Sequence, residues 1–491
     1  SRSSYLKVAF MDDVTLGGRS PTVVNDVKAI IARGTDFGLS LNIGKCEVIC
    51  KTGRVIDAEL ASFLQLTPDT ATLLGAPLCA GAAMDACLGT RCDDLARAVG
   101  RLKDVAAHDA LMLLTNCLSA PKLLHTLRSA HCEGHRLLQR FDDLQRSALC
   151  QISNVSLTDE QWLQASLPVR NGGLGIRRVQ SLAPSAFLAS AAGTRLLQDH
   201  VLGQAGIFND DDYSTSLQSR PYPIPEKAAV TSQRAWDKPV VEAEFSHLLG
   251  CYNEPQHRAR LLAAAAPHSG DWLHALPIAA CGLLLDNEAV RVAVGLRLGS
   301  AICETHSCSC GAKVDQQLGL HAFSCKRSTG RIQRHNHIND LICRAITRAG
   351  IPATKEPQGL SRDDGKRPDG LTLLPWHSGR CATWDATVVD TLGSAYLQRN
   401  AVQAASAAET AAARKETKYS ALTQTHLFYP VAFETIGPIC SSGLEFLREI
   451  GRRLTLATSD PRETTFLIQR LSMVIQRFNA VCLADTFRST S

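Results

Sequence analysis

The sequence predicts a mixed α/β protein with several domains, in which strands occur near both ends and helices fill the middle. Long stretches carry apolar residues at three- and four-residue spacing, which is typical of amphipathic helices. Shorter apolar runs bounded by turn residues occur at the beginning of the chain and again after residue 350, and these predict strands. With 491 residues, the chain is long enough for three or four domains, each with its own core.

The composition is that of a globular protein, with 45% hydrophobic and 20% charged residues. A net charge of +5 fits a nucleic-acid-binding protein without requiring one, because local patches matter more than the total. The 18 cysteines lack the density of a disulfide framework. No secretory signal or apolar span of membrane length is visible. We therefore expect a reducing intracellular environment and no membrane partner.

The chain begins with a predicted hairpin. Apolar, β-favouring runs flank Asp12 and Asp13, so both carboxylates are expected at the tip. Carboxylates are hard oxygen ligands for Mg²⁺. An isolated pair of adjacent aspartates, however, usually belongs to a solvated turn. Two further motifs follow in order, namely Gly38-Leu39-Ser40-Leu41-Asn42-Ile43-Gly44-Lys45-Cys46 and Leu73-Leu74-Gly75-Ala76-Pro77-Leu78.

Together these three motifs resemble the last three palm motifs of reverse transcriptases, in the form found in non-LTR retrotransposons. The resemblance implies that residues 1–80 are the C-terminal part of a palm, with Asp12 and Asp13 as catalytic ligands of Mg²⁺ and Lys45 in contact with nucleic acid. A working palm needs a third carboxylate and fingers. Because only nine residues precede Phe10 and the chain starts with Ser1, we expect an N-terminally truncated fragment without polymerase activity.

Helices are predicted through the middle of the chain. Residues 81–180 are expected to form a helical region where a reverse transcriptase has its thumb, and residues 181–300 a helical linker. A Gly-rich turn is expected within residues 165–176. The acidic run at residues 209–212 is expected to be a solvated loop rather than a metal site, because no matching ligand is evident.

The densest group of soft metal ligands defines a predicted zinc knuckle at residues 301–330. Cys308, Cys310, His321 and Cys325 would satisfy a tetrahedral Zn²⁺. The spacing of the first two cysteines is tighter than usual, Cys303 is an alternative ligand, and buried free cysteines are the other interpretation. Basic residues that suit phosphate contacts follow directly, namely Lys326, Arg327, Arg331, Arg334 and His335.

Residues 331–491 are predicted to form an α/β domain. Periodicity and composition place the elements in a definite order. They are a helix at His335–Ala349, strands at Pro352–Glu356 and from Lys366, a strand at Ala382–Val389, a helix carrying Lys415 and Lys418, a strand at Leu427–Glu434 and a final helix at Arg462–Asn479. The alanine-rich run at residues 401–413 is also expected to be helical.

Acids and lysines stand at fixed places in this order. Arg367-Pro368-Asp369 opens the second strand, and Asp385 lies in the third. With the lysines of the following helix, this order resembles the PD-(D/E)xK nuclease core. More closely, it resembles the restriction-like endonuclease of site-specific non-LTR retrotransposons.

That resemblance implies that Asp369 and Asp385 bind Mg²⁺ or Mn²⁺. Thr387 stands where the usual nuclease lysine would be, which nominates Lys415 first and Lys418 second as the catalytic lysine. Glu356 is a further candidate metal ligand, and its role is left open. Plain structural interpretations also exist for these residues: a turn, a buried acid paired with Arg367, or a solvated helix face.

Taken over most of the chain, the resemblance implies a fragment of a retrotransposon-encoded RNA-directed DNA polymerase with a metal-dependent DNA-nicking endonuclease. The family's mechanism is target-primed reverse transcription. The implied partners are a DNA target and the element RNA template, and a nuclear location follows from the function. The alternative is a catalytically dead nucleic-acid-binding remnant or a domesticated element protein.

Overall fold

The computed structural model describes residues 4–50, 57–202, 210–360 and 367–487. The chain divides into two compact units. One comprises Ser1–Arg97, Ala120–Leu144 and Arg178–Val240, and the other comprises Ala98–Ser119, Gln145–Arg177 and Val241–Ser491. The division of the chain into five domains at the boundaries given above stays a prediction.

The first unit begins with the hairpin that the sequence predicts. Strands β1 (Leu6–Phe10) and β2 (Asp13–Gly17) are antiparallel, with Phe10 opposite Asp13. Met11 and Asp12 form the tip, and Met11 has a positive φ of 54°. The expected position of both carboxylates at the end of a hairpin is confirmed.

The elements from residue 20 to residue 251 are mostly helical, and helices were expected between residues 81 and 300. The predicted motif at residues 73–78 forms a tight turn between two short strands, in which Leu74 and Gly75 both have positive φ. In chain order the elements are α1 (Ser20–Asp36), β3 (Glu47–Ile49), β4 (Leu64–Leu66), β5 (Thr72–Leu73), β6 (Ala76–Pro77), α2 (Ala82–Leu102), α3 (Ala107–Leu113), α4 (Leu124–Ser129), α5 (Arg136–Ser153), α6 (Asp159–Ser166), α7 (Val179–Leu202), α8 (Asp211–Ser219) and α9 (Gln233–Cys251).

The expectation of a solvated loop at residues 209–212 is wrong for the described acids, because they begin helix α8. The carboxylate of Asp210 accepts a hydrogen bond of 2.9 Å from the backbone N–H of Tyr213. Aspartate is a favoured N-cap residue, and acids in the first turn interact favourably with the helix dipole. Residue 209 lies outside the described residues.

The second unit contains the knuckle and the α/β region. Among the described residues of the whole chain, no helix has the length and apolar character that crossing a bilayer requires. The remaining elements are α10 (Pro255–Ala265), α11 (Asn287–Leu298), β7 (His306–Ser307), β8 (Lys313–Val314), α12 (His321–Ser324), α13 (Thr329–Arg348), β9 (Ala353–Lys355), β10 (Gly370–Thr372), β11 (Ala382–Val389), α14 (Leu397–Asn400), α15 (Ser406–Lys418), β12 (Leu427–Glu434), α16 (Ser441–Thr458) and α17 (Glu463–Asp485).

A four-stranded sheet with the order β12-β11-β10-β9 positions the candidate site. Strands β9, β10 and β11 are antiparallel neighbours, whereas β11 and β12 are parallel, with Ala382 opposite Leu427 and Val389 opposite Glu434. Parallel neighbours need a long crossover connection, and here the crossover carries α14 and α15.

Helices cover both faces of this sheet. Trp384, Val431 and Phe433 belong to a buried cluster that also contains apolar residues of α13, α16 and α17. Ala432 belongs to a separate small cluster with alanines of α15. Since successive side chains of a strand point to opposite faces, α15 lies on one face and the other three helices on the opposite face. Helix α16 was not predicted from the sequence.

Candidate functional site

A tight turn and a short helix bring the ligands of the predicted knuckle together. Cys308 and Cys310 lie on the turn between β7 and β8, where Gly311 adopts a φ of 86°. His321 begins the short helix α12, and Cys325 follows its end. One ligand atom from each of these four residues lies within 4.8 Å of all the others.

This group could hold a metal ion such as zinc. A Zn–S bond of about 2.3 Å in tetrahedral geometry places two sulfur ligands about 3.8 Å apart, and the Sγ atoms of Cys308 and Cys325 are 3.8 Å apart. The backbone N–H of Ala312 lowers the pKa of Cys310, which favours the thiolate that binds metal. Cys303 is not in the group, because its thiol donates to the carbonyl of Asp315 at 3.2 Å.

The basic residues after the knuckle have different surroundings. Lys326 and Arg327 are exposed, and Arg331 donates to the carbonyls of Ser324 and Cys325 at the end of α12. Arg334 is only 1% exposed and donates to Asn479 Oδ1 at 2.8 Å. Arg334 is therefore poorly placed for the expected contact with phosphate, because its guanidinium packs inside the domain.

Asp369, Asp385 and Lys415 converge at the sheet. Asp369 immediately precedes β10 and accepts a hydrogen bond of 2.6 Å from the backbone N–H of Ala386, the residue after Asp385. Lys415 Nζ, on α15, lies 2.5 Å from Asp385 Oδ1. The structure therefore brings together the two acids and the first-nominated lysine of the sequence prediction.

Close backbone packing fixes the position of Asp369. A Cβ atom on Gly370 would lie 2.0 Å from the ring of Trp384, so only glycine fits after this aspartate. Asn339 on α13 donates to the Asp369 carbonyl at 3.1 Å and accepts from Trp384 Nε1 at 2.8 Å. Asn339 therefore ties α13 to both acid-bearing strands.

Burial and charge make the site unfavourable for two unpaired carboxylates. Asp385 is 3% exposed. Its burial raises the pKa of Asp385, the neighbouring carboxylate of Asp369 raises it further, and the ammonium group of Lys415 opposes both effects. A positive charge between the two acids would relieve this repulsion.

His335 is a further part of the site. Its Nε2 lies 3.2 Å from Asp369 Oδ1, and this hydrogen bond raises the pKa of His335 against the opposing effect of burial. His335 and Asn339 are four residues apart on α13, so they lie on the same face of the helix. The sequence nominated His335 for nucleic-acid binding, but its contact with Asp369 was not foreseen.

Glu356 and Lys418 lie beside the site with other partners. The carboxylate of Glu356 forms an ion pair with Arg367, and its backbone N–H donates to the Asp369 carbonyl. Lys418 donates to the hydroxyl of Tyr419 at 2.7 Å. Within the described part of the chain, the Cys/His knuckle is the one group of three or more His, Cys, Asp or Glu residues close enough to share an ion. Glu356 is therefore not gathered with the two aspartates.

A cleft of about 350 Å³ is lined by His335, which contacts Asp369, and by Lys326, which follows the knuckle residue Cys325. Its walls combine basic side chains from the start of α13 and the segment before it with residues of β11. The lining residues are Lys326, Ser328, Arg331, Ile332, Arg334, His335, Thr387 and Val388.

The other aspartate pair lies at the exposed tip of the β1–β2 hairpin. Asp12 and Asp13 are exposed, and β1 and β2 form a two-stranded sheet. In the described ranges no third potential ligand is grouped with them. Lys45 is exposed in a short helical turn at Ile43–Lys45.

Sequence reasoning missed two residues that support the site. Asn339 is a polar residue on the apolar face of α13, beside Ile338 and Ile342, and this interruption of the helical pattern was a usable signal. Glu434 ends β12, is fully buried, and accepts hydrogen bonds from the start of α15. An acid at the end of an apolar strand is a weaker signal, because many strands end at charged residues.

The chain is similar to a retrotransposon-encoded protein, which supports a retrotransposon polyprotein and a function in a retroelement. The relative is the retrotransposable element SLACS 132 kDa protein of Trypanosoma brucei gambiense, 25% identical over 477 residues. The similarity covers 92% of this chain and 35% of the relative's length. No family model matches the chain.

Proposed function

We propose that this chain is a fragment of a polyprotein of a site-specific non-LTR retrotransposon and that residues 331–491 nick DNA in a metal-dependent reaction. The observation that carries the proposal is the convergence of Asp369, Asp385 and Lys415 beside a basic cleft. Similarity to a retroelement protein along most of the chain supports the same function. Nicking of this kind supplies the primer end in target-primed reverse transcription.

Asp369 and Asp385 fit a Mg²⁺ or Mn²⁺ ion, because both offer hard oxygen ligands and their mutual repulsion favours a cation. Such an ion polarises a phosphate and lowers the pKa of an attacking water. Lys415 provides positive charge at Asp385, where it would stabilise negative charge developing on the phosphate. His335 and the N–H of Ala386 hold the two oxygens of Asp369 in place.

We assign the cleft to the DNA backbone. Lys326 is exposed and lines the cleft, Arg331 also lines it, and His335 connects it to Asp369. Positive side chains bind phosphates independently of sequence and release counterions. The DNA target and element RNA are the proposed partners, and the proposed place of action is the nucleus.

Incubation with supercoiled plasmid tests the nicking proposal. We expect open circles with Mg²⁺ or Mn²⁺ and none with a chelator, because the acids need a cation to act on a phosphodiester. Mobility-shift measurements on the same DNA record binding separately. Conversion of plasmid that is equally fast with the chelator would contradict a metal-dependent nuclease.

A second candidate is a nucleic-acid-binding remnant without catalysis. It is favoured by the presence of two acids rather than three ligands at the sheet in the described residues and by the direct contact of Lys415 with Asp385. Metal-insensitive DNA binding without any cleavage would select this candidate over the nuclease.

The hairpin at Asp12 and Asp13 supports descent from a polymerase palm, but we propose that this chain alone does not polymerise. Among the residues that the structure describes, no third ligand is grouped with these two exposed acids, and two acids alone do not complete a two-metal site. Primer extension on a primed RNA template is expected to yield no cDNA. Robust synthesis by the purified chain would refute this part of the proposal.

A further inference from the structure

Helix α15 carries Lys415 but contacts the sheet through small side chains. Ala408, Ala411 and Ala412 pack against Ala432 and Cys440 in a separate cluster. Helix packing depends on side chains that form ridges and fit into grooves, and methyl groups form only shallow ridges. These contacts alone therefore resist a shift of α15 along its axis only weakly.

The start of α15 is held by a residue of the sheet. Ala405 precedes the helix with a φ of 65° and has no side-chain oxygen to cap it. The first N–H groups of a helix need external acceptors. Glu434 Oε1 accepts from the N–H groups of Ala407 and Ala408, each at 3.1 Å.

Other contacts hold the Glu434 carboxylate itself. Glu434 is 0% exposed, and its second oxygen accepts from Asn400 Nδ2 at 3.4 Å. The side chain of Asn400 also accepts from the N–H of Ala407 at 3.0 Å and donates to the Thr391 carbonyl at 2.8 Å. The end of the sheet and the start of the helix therefore form one hydrogen-bonded unit.

The length of β12 from Pro430 to Glu434 matches the length of α15 from Ala407 to Lys415. Asp385 lies opposite Pro430 on β12, and the four residue steps from Pro430 to Glu434 span about 13 Å of strand. The eight residue steps from Ala407 to Lys415 span about 12 Å of helix. When Glu434 holds the first turn, Lys415 is therefore level with Asp385.

We propose that Glu434 is a positioning residue whose carboxylate fixes the axial position of α15 and thereby holds Lys415 against Asp385. For its effect on nicking, the inference rests on the proposed function. For the contact between Lys415 and Asp385, it rests only on the geometry of the folded chain.

A double-mutant cycle between Lys415 and Asp385 tests the contact without any need for nicking. Urea unfolding is measured for Lys415→Met, Asp385→Asn and the double variant. Each is made both in the wild-type chain and in a chain carrying Glu434→Ala. In the wild-type background we expect the shift in urea midpoint of the double variant to differ from the sum of the two single shifts. With Glu434→Ala this difference should disappear. Glu434→Gln should retain it, because the amide oxygen still accepts from both N–H groups.

Asp390 provides the matched control. It lies just beyond the end of the neighbouring strand β11, and its carboxylate accepts from Leu392 N and Thr435 Oγ1 rather than from α15. Asp390→Ala should preserve the coupling between Lys415 and Asp385.

If Glu434→Ala does not fold, Glu434→Asp withdraws the carboxylate by one methylene and should weaken the coupling. Undiminished coupling without the Glu434 anchor, or equal loss with Asp390→Ala, would overturn the inference.

Nicking provides the second measurement. Glu434→Ala should lower kcat by roughly 10- to 100-fold, the usual effect of losing an outer-shell partner, but should have no further effect on a Lys415→Ala background. Asp390→Ala should have the same effect on both backgrounds. If the wild-type chain does not nick DNA, the proposed function fails while the unfolding cycle still decides the role of Glu434.

Discussion

Two pairs of aspartates in this chain differ in almost everything but residue type. Asp12 and Asp13 are adjacent in sequence and exposed at the tip of a two-stranded hairpin. Asp369 and Asp385 are sixteen residues apart in the chain. Asp369 immediately precedes β10, Asp385 lies in the neighbouring strand β11, and a histidine and a lysine are their partners.

The difference shows what the proposed nuclease site has beyond acidic residues. At the hairpin tip, solvent screens the two charges from each other. At the sheet, burial raises the pKa of Asp385, and Asp369 adds to the increase, so the site gains from a cation. Because the acids at the sheet come from separate elements, helix α15 can bring Lys415 to the same point. The two acids of the hairpin are adjacent on a single turn.

The largest expected effect is on the nicking rate, which should fall when the aspartates at the sheet are replaced but not when those at the hairpin are. Asp369→Ala or Asp385→Ala should lower plasmid nicking by more than about 100-fold, because loss of outer-shell partners alone costs 10- to 100-fold. Asp12→Ala with Asp13→Ala is the matched control and should nick like the wild type. Circular dichroism checks folding of each variant. Wild-type rates in both sheet variants would remove the active-site assignment.

The knuckle extends the comparison to a site with four gathered ligands. Cys310→Ala should lose most of the bound zinc and lower the urea midpoint, because metal binding energy contributes directly to folding. Cys303→Ala should keep about one zinc per chain, since its thiol bonds to the Asp315 carbonyl outside the group. Elemental analysis of the purified chains measures the difference. Absence of zinc from the wild-type chain would contradict this site.

A smaller effect is expected at the histidine beside the buried acids. His335→Ala should lower the nicking rate by roughly 10- to 100-fold, because the imidazole orients Asp369. His337 is the control on the same helix. It is exposed and its Nδ1 contacts the Gln333 carbonyl, so His337→Ala should retain activity. Equal rates for the two variants would show that the contact with Asp369 has no catalytic role.

The smallest effect is a dependence of stability on pH. Burial raises the pKa of Glu434 to about 7 from its usual 4.5. The folded chain therefore binds more protons than the unfolded chain between these values, and stability falls as pH rises through this window, by up to about 3 kcal/mol. Glu434→Gln removes the titrating group. Urea unfolding at pH 5 and pH 8 should show a smaller loss in the variant, and an unchanged loss would contradict the shift.

Local pattern in the sequence determined several features of this protein. Ala382–Val389 and Leu427–Glu434 were predicted as strands and are strands with those bounds, because short runs rich in β-branched and aromatic residues favour strands. The hairpin at Asp12 and the four ligands of the knuckle were also accessible, since turns and short loops bring near neighbours together.

The tertiary structure alone decided which side chains face one another. Arg334 resembled the exposed basic residues around it, yet it points into the core toward Asn479. Glu434 and Asn339 gained their roles only when strands far apart in sequence met helices α15 and α13. Periodicity tells which face of an element is apolar, but the partner of that face depends on packing between distant segments. This dependence is why the contacts of the supporting residues could not be deduced from sequence.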